Sequence, residues 1–121
     1  MATWNANELA AVAAASELQI AARRSDGTLR KPVTIWVVRV GDALYVRSVR
    51  GSEGSWYRGS LARNQGRVEA GGVARDVDFV AAGHALDEEI DLAYREKYGY
   101  PSSAVEHITS PEARETTIRL V

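Results

Sequence analysis

The sequence predicts an α+β fold: a small closed, six-stranded, mainly antiparallel β-barrel with an N-terminal helix, a short middle helix and a longer helix before the last strand. Three observations predict it. Strand-like apolar runs follow one another across short glycine-bearing turns at Asp26-Gly27, Gly41-Asp42 and Gly71-Gly72, the chemistry of tight hairpins. Connections this short cannot carry a parallel crossover, which excludes a doubly wound sheet. Closing the sheet removes exposed edges, so a barrel is favoured over a flat sheet. No repeat, low-complexity tract or linker divides the 121 residues, which read as one domain over 1–121.

The first helix has a marked start. Asn5 caps it, Glu8 three residues on completes a capping box, and Trp4 and Leu9 stand at the spacing of a hydrophobic staple. A strand over 18–24 leads into the Asp26-Gly27 turn. Pro32 opens a return strand over 33–40 that is apolar at nearly every position, as expected of a strand covered on both faces. The next strand, 44–50, sets Arg47 among β-branched neighbours, where a guanidinium needs a buried partner or a ligand. After Gly51-Ser52-Glu53-Gly54, Ser55 is placed to cap a short helix from Trp56 to about Ala62. Strands over 67–70 and 73–81 flank Gly71-Gly72. A helix then runs from about Leu86 to Tyr98, with an inner stripe of Leu86, Ile90, Ala93, Tyr94 and the stem of Lys97. Asp87, Glu88 and Glu89 lie at its positive end, and Gly99 and Pro101 stop it. An irregular stretch containing Pro111 precedes a final strand over 116–121.

Composition excludes several function classes. Fifteen basic against sixteen acidic side chains leave a net charge of -1, so no global field draws in nucleic acid or an anionic membrane. The absence of cysteine removes disulfides, thiolate nucleophiles and Cys-ligated metals, and points to a cytoplasmic protein. The longest apolar run, Leu9 to Ala15, is too short to span a bilayer. His84 and His107 have no second ligand at metal spacing, so no metal site is expected. Asp76 and Asp78 share one strand face, where solvated carboxylates are the ordinary finding. No phosphate-binding Walker loop, dinucleotide fingerprint or serine-nucleophile elbow occurs. No residue is assigned a catalytic role.

The order of motifs resembles a known group. Arg23-Arg24-Ser25-Asp26-Gly27, Pro32, the run Leu44 to Gly51, Trp56-Tyr57-Arg58 and the run Arg67 to Gly72 are similar to the deazaflavin-dependent nitroreductases. The whole chain, including Tyr94 to Gly99 and Ser110 to Arg114, more closely resembles an uncharacterised bacterial family, a domain of unknown function, allied to them. Both belong with the pyridoxamine-phosphate-oxidase-like split barrels. The resemblance implies a homodimer holding FMN or the deazaflavin F420 at the subunit interface. One departure stands out: the nitroreductases carry a lysine before the serine of a basic-Ser-Gly run, whereas here Arg24 replaces it and Asp26 intrudes.

Three places carry the candidate cofactor site. Ser48, Arg50, Gly51 and Ser52 run from a strand end into a glycine-relieved loop and a helix start, where amides, a hydroxyl and a guanidinium suit a phosphate. Arg24 and Ser25 lie on the hairpin before Pro32. The third place is the backbone of Pro32 to Thr34 with Trp36, Trp56 and Tyr57, because aromatic rings can flank a flavin-like system. Trp36 reads as core and Trp56 as the better ligand contact, and Arg47 joins the set if a ligand is its partner. Two functions follow. One is a flavin- or F420-dependent oxidoreductase acting on a small organic acceptor, in which the cofactor does the chemistry. The other is a cofactor-free dimeric binding protein on the same barrel.

Overall fold

A computed structural model describes residues 4–121. Seven strands form one curled antiparallel sheet in the order β2-β1-β5-β6-β7-β4-β3. They are β1 (Leu18–Ala22), β2 (Val33–Ile35), β3 (Val38–Val40), β4 (Ala43–Val46), β5 (Gln65–Ala70), β6 (Val73–Ala81) and β7 (Ile118–Leu120). The helices are α1 (Ala6–Ala14), α2 (Ser55–Arg63), α3 (Asp87–Tyr98), α4 (Ser103–Ile108) and α5 (Pro111–Arg114).

The sheet corrects the expectation of six strands. The apolar run 33–40 is two strands, broken at Trp36-Val37. There the backbone of Val37 turns to side chains instead of a ladder. Its N–H donates to the Tyr98 hydroxyl at 3.2 Å, and its carbonyl accepts from Lys97 Nζ at 2.7 Å. With both polar groups satisfied from α3, the chain leaves β1 and crosses to pair with β4. β2 and β3 are thus consecutive in sequence yet end the sheet at opposite sides, and no ladder joins them. The sheet curls into a half-barrel rather than the closed barrel expected.

Two clusters fill the fold. The interior takes alternate residues of every strand but β3, among them Ile20, Leu44, Val46, Val68, Phe79 and Leu120, with Leu9 and Val12 of α1. The second cluster lies outside, between β3, β4 and α3, and contains Val38, Tyr45, Ile90, Tyr94 and Ile108. β4 therefore faces apolar partners on both sides: Leu44 and Val46 point inward, Tyr45 outward. Arg47, two residues beyond Tyr45, continues the outward face and is buried against α3. Each fully buried Val, Leu, Ile or Phe of the two clusters contributes about 1.5–3 kcal/mol.

Local signals hold at several places. Asn5 accepts from Glu8 N–H at 2.8 Å and the Glu8 carboxylate reaches back, closing the capping box. Gly71 and Gly72 both have positive φ (57° and 81°), as a two-residue hairpin between β5 and β6 requires. Ser55 is not the cap of α2. Gly54 holds that position and no side chain caps the helix. The stretch read as irregular contains α4 and α5, capped by Ser102 and Ser110, with Pro111 at the start of α5.

Candidate functional site

A cleft of about 380 Å³ opens beside β2, within the size range of ligand sites. One wall is the backbone of Val33 to Trp36. β2 has a single strand neighbour, so alternate N–H and C=O groups along its free edge have no ladder partner. Trp56 of α2 and Ile108 of α4 supply apolar surface. Trp36 is fixed by stacking on Tyr98, with ring centroids 4.0 Å apart and planes 7° off parallel. A second hollow, of about 490 Å³, shares Val33, Ser55 and Trp56 with the first and extends to Arg24, Arg30, Lys31 and Pro32.

The cleft floor is polar. Ser48 is buried, and its hydroxyl has no hydrogen-bond partner among the described residues. Its backbone is pinned, the N–H donating to Thr116 Oγ1 at 2.8 Å. A Cβ on Gly54 would collide with the Ser48 oxygen, so this glycine keeps the hydroxyl on the floor. Gly54 also begins α2, whose first amides lack a side-chain cap and lie at the positive end of the helix.

The charge around this space has one sign. Arg24, Arg30, Lys31, Arg47 and Arg50 line the two hollows with no carboxylate among the lining residues. The side chains of Arg30, Lys31 and Arg50 have no hydrogen bond or ion pair among the described residues. This bias was not visible in the net charge of -1, because the chain is segregated: residues 23–67 carry ten basic and three acidic side chains, residues 68–121 five and eleven. The two halves cancel in the total but not in space.

Arg47 differs from the others. It is 1% exposed. Its Nε donates to Thr117 Oγ1 at 2.9 Å, and Nη1 donates to Asp91 and, at 3.2 Å, to the Ile108 carbonyl. Asp91 is buried and also accepts from Arg114 Nε and Nη2. Of the two fates expected for Arg47, a buried partner is the one found. The Tyr94 hydroxyl is buried beside this network without a hydrogen-bond partner among the described residues, and desolvation pushes its pKa well up.

The remaining sequence-predicted residues fall in different places. Thr34, Ser48, Arg50 and Trp56 line the cleft with Arg47, while Arg24 and Pro32 line the adjoining hollow. Ser25 lies outside both, its carbonyl accepting from Arg63 Nη1 at 2.9 Å. Gly51 and Ser52 form a 3-10 turn away from the cleft lining, with Gly51 against Glu112. Tyr57 braces Trp56 edge-on at 6.1 Å and lines a separate hollow with His84 and Glu115. Sequence reasoning missed Arg30, Lys31, Gly54, Ala104 and Ile108. Only Gly54, a glycine directly ahead of a helix, offered a local signal.

The chain matches, over residues 8–120, the family described as uncharacterized protein conserved in bacteria (DUF2255). It belongs to this family. Among solved structures the family member is similar to a protein titled F420 Reductase, with TM-score 0.54 and 13% identity, over 92% of this chain and 87% of that one. At that identity the likeness shows the fold alone. No curated protein matches. No described helix is long and apolar enough to cross a membrane, and the described residues contain no cluster of three or more His, Asp or Glu placed to hold a metal ion.

Proposed function

We propose that the chain is an oxidoreductase that uses FMN or F420 to act on a small organic acceptor. The observation that carries this reading is the acid-free cleft, in which a free edge of backbone and a tryptophan meet unpaired cations. An aromatic ring system with a polar edge and an anionic tail matches each part. Trp56 and Ile108 would cover the ring and the β2 backbone would meet its polar edge. Ser48, Arg50 and the first amides of α2 would take a phosphate. The space that Gly54 keeps beside the Ser48 hydroxyl fits this use, since a side chain there would fill it. When bound, a flavin or deazaflavin supplies hydride transfer, and the protein's part is orientation and electrostatics.

The reading includes a cytoplasmic homodimer, because both end strands of the half-barrel leave an edge that a second copy could cover. A second reading, a cofactor-free dimeric binding protein, is favoured by one observation. The hairpin polar groups satisfy each other: Arg24 Nη1 donates to the Leu29 carbonyl at 2.8 Å, and Asp26 accepts from Thr28 N–H at 3.0 Å. Titrating the purified protein with FMN and with F420, followed by absorbance and fluorescence, separates the two. Saturable binding of either at micromolar concentration is the expected result. Binding of neither at high micromolar concentration leaves the cofactor-free reading.

A further inference from the structure

We propose that Asp91 and Arg47 are positioning residues that hold α4 as a wall of the cleft. The inference concerns the shape of the cleft, and only its ligand arm rests on the function proposed above. α4 contributes Ala104 and Ile108 to the wall facing β2. With six residues it is too short to be stable on its own, so its place depends on what grips it. Ile108 is its last residue, and its carbonyl belongs to the group that a helix end leaves without an intrahelical partner. That carbonyl accepts from Arg47 Nη1 at 3.2 Å, placing a cation at the negative end of the helix.

Arg47 can do this only while its guanidinium is held still. Asp91 on α3 accepts from the same Nη1 through Oδ1, and Thr117 Oγ1 takes Nε. Asp91 Oδ2 is occupied by Arg114 of α5. One buried carboxylate therefore ties the end of β4 to two helices, but by separate oxygens and separate arginines. The route to the cleft wall runs through Arg47. The route through Arg114 fastens α5.

This division predicts different consequences for variants at similar depth. Hydrogen exchange of the intact protein, without ligand, reads the wall directly. In Asp91→Asn and in Arg47→Lys, amides of 103–108 should exchange about tenfold faster, the effect of losing a bond to a charged group. In Arg47→Lys, which keeps a cation against Asp91, amides of the β5–β6 hairpin should stay as protected as in the wild type. Arg114→Ala should speed exchange at 111–114 and leave 103–108 unchanged. If Asp91→Asn does not fold, Arg47→Lys against Arg114→Ala carries the test alone. Equal effects of those two on 103–108, or no effect of Arg47→Lys there, overturns the proposal. The ligand arm compares Kd for FMN and F420. A wild type that binds one of them should weaken several-fold in Arg47→Lys and not in Arg114→Ala, and equal weakening in both overturns the wall's link to binding. If neither binds, the cofactor reading fails while the exchange result still decides this one.

Discussion

Two sets of cationic side chains meet opposite fates. Arg47 and Arg114 are both held by the buried Asp91 carboxylate, and Arg47 donates further to Thr117 and to the Ile108 carbonyl. Arg30, Lys31 and Arg50, around the two hollows, have no side-chain hydrogen bond or ion pair among the described residues. Residue type does not separate them; surroundings do. Tyr45 and Arg47 share the outward face of a strand covered by α3, and a charge there costs several kcal/mol unless paired. Arg50, past the end of β4, is exposed and pays no such penalty. Paired guanidiniums hold the fold together, and the proposed site draws on cations without a partner among the described residues.

The largest effect that could break this comparison belongs to Arg47→Ala. It leaves Asp91 buried with half its partners removed, and such a loss destabilises by about 3–5 kcal/mol. Urea unfolding should show it as a lower midpoint, and a shift under 1 kcal/mol would mean that the pair is not buried in solution.

Asn5→Ala calibrates the scale away from both sets. It removes the cap of α1 and should lower stability by ~1 kcal/mol. An unchanged melting temperature would show that the capping box is frayed.

The smallest effect is a pH dependence at the rim of the paired set. Asp87, hydrogen-bonded to His84 at 2.8 Å, and then Glu115 raise the His84 pKa above its ordinary 6.5. A raised folded value means that the protonated form contributes stability that is full below 6.5 and fades as pH climbs through the folded pKa. His84 is exposed, so the loss is small. Stability of the wild type should decline from pH 6.5 upward relative to His84→Ala. Parallel pH curves for the two proteins would rule the contribution out.

Legibility in the sequence followed the range of the forces involved. The cap at Asn5, the Gly71-Gly72 hairpin and the end of α3 at Gly99 are decided by neighbours a few residues away, and each could be read directly. The break at Trp36-Val37 could not, because Tyr98 and Lys97 supply the backbone partners of Val37 from 60 residues along the chain. Arg47 announced the need for a partner without naming it, since Asp91 is one of five acids on α3, and Asp87, Glu88, Glu89 and Glu96 offered the same charge. The cleft was half legible. Ser48, Arg50 and Trp56 follow from a strand–loop–helix passage, whereas the wall from α4 and the cations of Arg30 and Lys31 depend on how distant segments fold together. The Ser110-Pro111 start of α5 was a readable local signal that the irregular reading overlooked.

The central claim is that unpaired cations make the cleft an anion site, and Arg50 tests it most directly. Binding of whichever of FMN or F420 associates with the wild type should be measured for Arg50→Ala and for Arg58→Ala. Arg58 is an exposed arginine on α2 outside the cleft lining, and its side chain likewise has no hydrogen bond or ion pair among the described residues. A charge-assisted contact of roughly 1.5–3 kcal/mol predicts about a ten- to hundredfold loss of affinity for Arg50→Ala, with little change in melting temperature. Arg58→Ala should remain close to the wild type. Equal losses in the two variants would mean that bulk charge alone attracts the ligand, and would contradict the site.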